Sequence, residues 1–323
     1  MSAATTIVLT CVVLLGGLLF FASALIMVER WLLSLWQDRY GPNRSGPWGL
    51  LQLPADMIKL FFKEDWIPPF ADRAVFVLAP MIIVAASLMS FSVLAFAPGL
   101  VVADVNIGVL FVLAMSSMSV YSIALGGWSS NNKYSLLGAL RASAQMISYE
   151  VFMGLGLLGV VLLAGSFRVA DIINAQRHLW FIVPQLPGFV IFFIAGIAEA
   201  RRLPFDLPEA ENELIAGFHS EYSSMKFAMF FLGEYVGITL VSALVTTLYL
   251  GGYLGPWVDD VPALGLLWFL IKMFAFVCFF ILMRASLPRP RYDQLMGLGW
   301  KVMLPLALAN VLVTGAIVLW TSS

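Results

Sequence analysis

Charge is what this sequence has least of. Only 11% of its 323 residues are Asp, Glu, Lys or Arg, while 61% are hydrophobic; a soluble domain carries roughly 25% charged residues. A soluble fold of this size could not hide so much apolar surface. A bilayer accepts it, provided every backbone group is bonded internally, which leaves helices or a closed barrel. The apolar runs are long and continuous rather than alternating, and that favours helices. Cysteine is nearly absent as well. Cys11 and Cys278 each lie inside an apolar run and no CxxC occurs, which excludes a zinc site or iron–sulfur cluster held by this chain alone. The only histidines, His178 and His219, fall in loops, so no bis-histidine haem sits between spans. Any redox cofactor is therefore diffusible or carried by another subunit. A basic nucleic-acid surface is also missing, at a net charge of −1. No Lys or Arg precedes the first apolar run and no small-residue cleavage site follows it, so the first 28 residues are expected to be a span that stays.

What is present divides into about eight spans within a single membrane domain, residues 1–323. At about 20 apolar residues each, they fall near 5–28, 74–96, 105–127, 143–164, 179–198, 227–250, 263–283 and 302–320. Trp31, Trp128, Trp180, Trp257, Trp268, Trp300 and Trp320 lie near span ends, where interfacial anchors belong. Fifteen of the Lys and Arg residues fall in the odd loops and only Arg168 and Arg177 in the even ones. The positive-inside rule then puts the odd loops in the cytoplasm and both termini outside.

Two local patterns refine this expectation. In the first loop, Asp56, Lys59 and Lys63 recur at helical spacing among Met57, Ile58, Leu60, Phe61 and Phe62, with Pro54 suited to a first turn. The spacing predicts a short amphipathic helix on the cytoplasmic interface. Gly154-x-Gly156-x-x-Gly159 fits a dinucleotide fingerprint as a string, but it lies within a span with no strand before it. Small residues packing helices closely is the better reading, there and at Gly233 and Gly237.

The informative residues are charges inside spans. Glu150 and Glu234 each lie about eight residues in from the cytoplasmic side, roughly 12 Å deep. Lys272 lies near the midplane of the seventh span, and Glu29 and Glu199 cap the inner ends of the first and fifth. An ionised group there costs at least ~2.5 kcal/mol, so such residues face a bundle interior or hydrated cavity and commonly carry protons or ions. The bland alternative is a structural ion pair, for instance Lys272 with a glutamate. The fifth loop adds Asp206, Glu209, Glu211, Glu213 and Glu221, interleaved with Leu203, Phe205, Leu207, Leu214, Ile215 and Phe218. That mixture suggests a partly buried funnel where carboxylates exchange protons, against a simple solvated loop.

At these positions the sequence resembles a known family. Glu29-Arg30, Asp38-Arg39-Tyr40-Gly41-Pro42-Asn43-Arg44, Ala55-Asp56-Met57-Ile58-Lys59 and Lys63-Glu64-Asp65 carry the resemblance in the first loop. Gly127-Trp128-Ser129-Ser130-Asn131-Asn132-Lys133-Tyr134, Arg141-Ala142-Ser143-Ala144-Gln145 and Ser148-Tyr149-Glu150 carry it in the middle. Pro204-Phe205-Asp206 through Glu213, Glu221-Tyr222-Ser223, and Arg284-Ala285 to Arg291-Tyr292-Asp293 extend it. Together they are similar to the H-subunit family of bacterial NADH–quinone oxidoreductase, respiratory complex I. The stretch Glu199-Ala200-Arg201-Arg202 departs from the family pattern, and the resemblance leaves the role of Glu199 open.

The resemblance implies a subunit that is not catalytic alone. Its partners would be the peripheral-arm iron–sulfur and quinone-site subunits, neighbouring small membrane subunits and the lipid of the bacterial inner membrane. A quinone, ubiquinone or menaquinone, is the implied substrate, with no flavin, haem or iron–sulfur cluster bound by this chain. Carried over by motif, Arg30, Arg39 and Arg284 would line a quinone tunnel, with Phe227, Phe230 and Phe231 as an aromatic wall. Glu29, Glu150, Asp206, Glu209, Glu211, Glu213, Glu221 and Glu234, with Lys272, would form the proton path. Two alternatives stay open on the residues alone: the equivalent subunit of a membrane-bound hydrogenase, which the long first-loop and third-loop matches disfavour, and a stand-alone proton or ion transporter.

Overall fold

Where the apolar runs break, the helices break. In a computed structural model, which describes residues 3–207 and 215–322, the chain is all-helical apart from one isolated bridge between Ala97 and Leu100. The helices are α1 (Ala3–Trp36), α2 (Gln52–Phe62), α3 (Arg73–Ser90), α4 (Gly108–Ser129), α5 (Lys133–Ala164) and α6 (Val169–Ala175). They continue as α7 (Leu186–Glu199), α8 (Ser224–Tyr249), α9 (Ala263–Ser286), α10 (Tyr292–Leu298) and α11 (Leu304–Ser322), with a π-helical turn at Gly299–Met303 joining the last two.

Among the described residues, seven helices are long and apolar enough to cross a membrane: α1, α3, α4, α5, α8, α9 and the continuous stretch Tyr292–Thr321. The expected fifth span is the exception. It is helical only over the 14 residues of α7, about 21 Å against a ~30 Å hydrocarbon core. Pro184 and Pro187 sit at its start and turns lead into it from Trp180. Short as it is, α7 packs heavily on α5 and α8, burying Ile191, Phe192, Ala195 and Ala198. The expected third loop is also mostly helix, since Ser130–Asn132 alone separate α4 from α5. Asn132 starts α5 by accepting from the Tyr134 backbone N–H at 2.9 Å, a side-chain cap for an orphan donor.

The interfacial helix expected after Pro54 forms as α2, with Pro54 in its first turn and no buried residue. It is tied to α1 through Asp56, which accepts from Arg30 at 2.7 Å and from Gln52 at 2.9 Å. It is tied to the start of α8 by Ser224, whose hydroxyl donates to the Leu60 carbonyl at 2.9 Å. The glycine pattern does its work by packing. A Cβ on Gly159 would stand 2.3 Å from Oε1 of Gln185, and one on Gly156 3.1 Å from the Gly188 carbonyl. These contacts let α5 and the α7 region approach closely. Gly233 meets Ile83 in the same way, whereas Gly237 borders open space.

Candidate functional site

Three segments converge on one buried patch of charge: the inner end of α1, the first half of α8, and the turn that follows α7. Arg202 stands at its centre. Its Nε lies 2.7 Å from Oε1 of Glu234 on α8. Its Nη2 donates to Oε2 of Glu29 on α1 at 3.0 Å, and its guanidinium lies 4.5 Å from the Tyr235 ring centre. Glu29 also takes a hydrogen bond from the Tyr235 hydroxyl at 2.8 Å and pairs with Arg284 on α9. Glu29, Arg202 and Glu234 are 4%, 7% and 8% exposed. Ionised groups so far from water persist only when paired and hydrogen-bonded.

Asp206 continues the network toward the loop, with Arg289 donating to it at 3.0 Å. Burial pushes its carboxyl up to about 6; Arg289 opposes that rise and Glu234 adds to it. Its carboxyl is thereby shifted toward neutral pH, away from the usual carboxylate range. His219, in the same loop region, moves the other way. Burial and then Arg201 lower it to about 4, so it is neutral at pH 7.

On the other side of Glu234 lies a small cavity of about 50 Å³ whose walls are mainly apolar, Ile83, Val112, Leu240 and Val241 among them, with Glu199, Arg201, Glu234, Ser87, Ser90, Ser116 and Ser119 as its polar lining residues. That volume has room for a few waters, since one needs about 10–15 Å³ of such space. Oε2 of Glu199 and Nε of Arg201 are buried without a protein hydrogen-bond partner. Ser116, on the cavity wall, also donates to Glu150 at 3.3 Å, and Ser117 hydrogen-bonds the same carboxylate. Glu150 and Glu199 are close enough to repel one another. Glu234 and Glu199 thus border one small pocket, and Glu150 meets its wall through Ser116.

A second, larger cavity of about 600 Å³ opens between α1, α2 and α8. Its walls are mainly apolar, including Leu19, Ile26, Leu60, Phe227 and Phe231, with Arg30, Asp56, Lys59 and Lys63 among its polar groups. Arg30 and Glu29 are neighbours in sequence but serve different sites, one facing this cavity and the other the charge network. Phe231 connects them as well, since its ring lies 5.1 Å from Tyr235, which holds Glu29.

Several residues singled out from the sequence fall elsewhere. Phe230 is buried against Phe218 and Tyr222 and does not line the cavity that Phe227 and Phe231 line. Arg39 borders a separate surface cavity of about 350 Å³ with Trp31, Tyr40 and Trp48. Arg284 belongs to the charge network and not to the large cavity. Lys272 pairs with no glutamate among the described residues. Its ammonium donates to the carbonyls of Leu250, Gly252 and Leu254 at 2.7, 3.1 and 2.6 Å and sits 4.6 Å from the Trp180 ring. It therefore caps the far end of α8, sixteen residues beyond Glu234 to Leu250, about 24 Å along the helix. Glu221 accepts from Asn132 at 2.7 Å, apart from the network. Glu209, Glu211 and Glu213 lie outside the described residues. Sequence reasoning misses Arg202 and Arg289, although a signal exists. Acids buried at the inner ends of spans demand cations at the same depth, and Arg201-Arg202 closely follow Glu199.

The fold and the site define a polytopic helical membrane subunit with a ligand-sized cavity beside a buried chain of paired charges. The chain belongs to the NADH dehydrogenase family, whose sequence profile it matches over residues 8–315. Among its relatives is the H subunit of NADH-quinone oxidoreductase from Methylococcus capsulatus (strain ATCC 33009 / NCIMB 11132 / Bath), 60% identical over 296 residues, 92% of each chain.

Proposed function

We propose that the chain is the membrane subunit of a proton-pumping NADH–quinone oxidoreductase that receives quinone from the bilayer and begins the proton path. The observation that carries this reading is the adjacency of the two sites: Arg30 and Phe231 face the 600 Å³ cavity while Glu29 and Tyr235 face the charge network. Small-molecule sites are commonly mostly apolar pockets of about 300–1,000 Å³ with a few placed polar groups, a description the cavity meets. Its apolar walls suit an isoprenoid tail, and Arg30, held by Asp56, suits a polar head group. Ubiquinone and menaquinone fit equally. This chain supplies no electrons; they come from iron–sulfur subunits of the peripheral arm docked on its basic loops, with small membrane subunits against its apolar flanks. A change at the head group reaches Glu29 through Phe231 and Tyr235, and protons pass from Asp206 to Glu234, across the small cavity to Glu199, and on to Glu150, which Ser116 on the cavity wall meets. A membrane-bound hydrogenase component or a free-standing transporter is not favoured, given the family and the named relative.

In the assembled complex, Arg30→Ala is expected to lower quinone reduction at least about tenfold, as befits loss of one charge-assisted hydrogen bond. NADH oxidation by a soluble acceptor should be unchanged. A parallel fall of both activities would show that Arg30 acts through assembly.

The proposed setting is the bacterial inner membrane as a single domain, with both termini periplasmic on the distribution of Lys and Arg; the eighth crossing this needs is made by α7 with the turns before it, which run from the Tyr249 end of α8 to the level of Glu234. Cysteines placed at Ser45 and Pro290 should resist an impermeant thiol reagent applied from the periplasmic side. Labelling of either would reverse the orientation.

A further inference from the structure

The turn after α7 carries Arg201, Arg202 and Asp206 into the site, yet it is an irregular excursion between two helices and needs something to hold it. Gln145, on α5, does so. It is fully buried. Its side-chain amide donates to the Ala198 carbonyl in the last turn of α7 at 2.9 Å and to the Phe205 carbonyl at 2.9 Å. These two acceptors stand at the two feet of the excursion, one before Glu199 and one directly before Asp206. The Ala198 carbonyl lies in the last turn of its helix, where it also accepts from the Arg201 backbone N–H at 3.3 Å, so Gln145 adds a second donor at the point where the regular helix ends. Within the excursion Arg201 has φ 54°, a left-handed conformation that a non-glycine residue keeps only when its surroundings impose it. The Gln145 oxygen is buried without a hydrogen-bond partner, so the site uses this side chain for its two N–H donors.

We infer that Gln145 is a positioning residue for the coupling step, its amide clamping the segment that sets Arg202 between Glu29 and Glu234 and brings Asp206 to Glu234 and Arg289. The inference rests on the reading of that network as the coupling path. Gln145 touches neither the quinone cavity nor a carboxylate of the network. Its loss should therefore change turnover without changing how quinone binds.

The test uses the complete complex carrying Gln145→Glu, which keeps the shape and leaves at most one donor, and Gln145→Met, which removes both without adding charge. NADH oxidation by a soluble acceptor should be retained. The KM for quinone should stay within about twofold while kcat for quinone reduction falls about tenfold. The acid limb of the pH–rate profile should move by about half a unit, because Asp206 loses its fixed relation to Glu234, Arg202 and Arg289. If Gln145→Glu does not assemble, Gln145→Met decides. Wild-type kcat and an unmoved acid limb in an assembled variant would overturn the inference, as would loss of assembly in both variants, which would make Gln145 a support of the bundle alone. Glu234→Gln is run alongside. If it lowers turnover and the Gln145 variants do not, only the clamp is wrong; if neither does, the network is not the coupling path.

Discussion

Arg202→Met should remove most of the assembled complex from the membrane. The substitution takes one cation away from two carboxylates at once. Glu29 keeps Arg284 and the Tyr235 hydroxyl, but Glu234 loses the guanidinium 2.7 Å away, and Asp206 is near enough to Glu234 to repel it. Removing one partner of a buried pair costs roughly 3–5 kcal/mol, a large share of the ~5–15 kcal/mol that holds a typical domain. Methionine fills similar volume, so a cavity is not the cause of the loss. Adding Glu234→Gln to Arg202→Met removes the excess negative charge and should recover much of the assembly, while quinone reduction stays low. Complex content, measured by native electrophoresis and by NADH oxidation with a soluble acceptor, decides. A single variant that assembles normally would mean the pair contributes little. A double variant no better than the single would mean that Arg202 acts by packing on Tyr235 and not through Glu234.

The architecture was legible because a bilayer constrains composition more tightly than water does. Scarce charge and long apolar runs leave only helices, and the amphipathic stripe of Asp56, Lys59 and Lys63 marks α2 as the α-helix of the first loop. Spans that are apolar all round carry no such stripe, so the direction each side chain faces is hard to read from them. Phe227, Phe230 and Phe231 read as one wall, yet α8 sends Phe227 and Phe231, four apart, to the cavity and Phe230 to a separate core. Helical spacing could have separated them, since residues four apart lie on one side and Phe230 lies about 100° from Phe231. α7 reads as a full span because hydropathy counts apolar residues and not helical ones, and Pro184 and Pro187 shorten the helix. Lys272 reads as a partner for an acid because charge invites charge. In a bundle, the unsatisfied carbonyls at a helix end are an equal attraction for an ammonium, and depth along the chain could not choose between them. Arg202 escapes notice for a related reason. Its place in the loop following a span suggests solvent, whereas the turn folds it back beneath α1 and α8.

Glu234→Gln probes the proton path with the least disturbance. Glutamine keeps the volume of the side chain and can still accept from Arg202 at Nε, so the network loses a titratable group and one negative charge without leaving a carboxylate unpaired. Arg202 retains Glu29 at 3.0 Å, and the small cavity keeps Glu199 and its serines. Assembly should therefore survive far better than with Arg202→Met. What disappears is the carboxylate that meets both Arg202 and the cavity that Glu199 also lines. In the proposed path a proton arriving from Asp206 would then have no acceptor at that point, and general acid–base steps of this kind contribute typically about 10²–10⁴-fold. The decisive measurement is proton uptake and quinone reduction by the assembled Glu234→Gln complex reconstituted into sealed proteoliposomes. The account predicts that both fall at least about tenfold together while NADH oxidation by a soluble acceptor remains at the wild-type rate. Near-normal pumping by a fully assembled Glu234→Gln complex would contradict it.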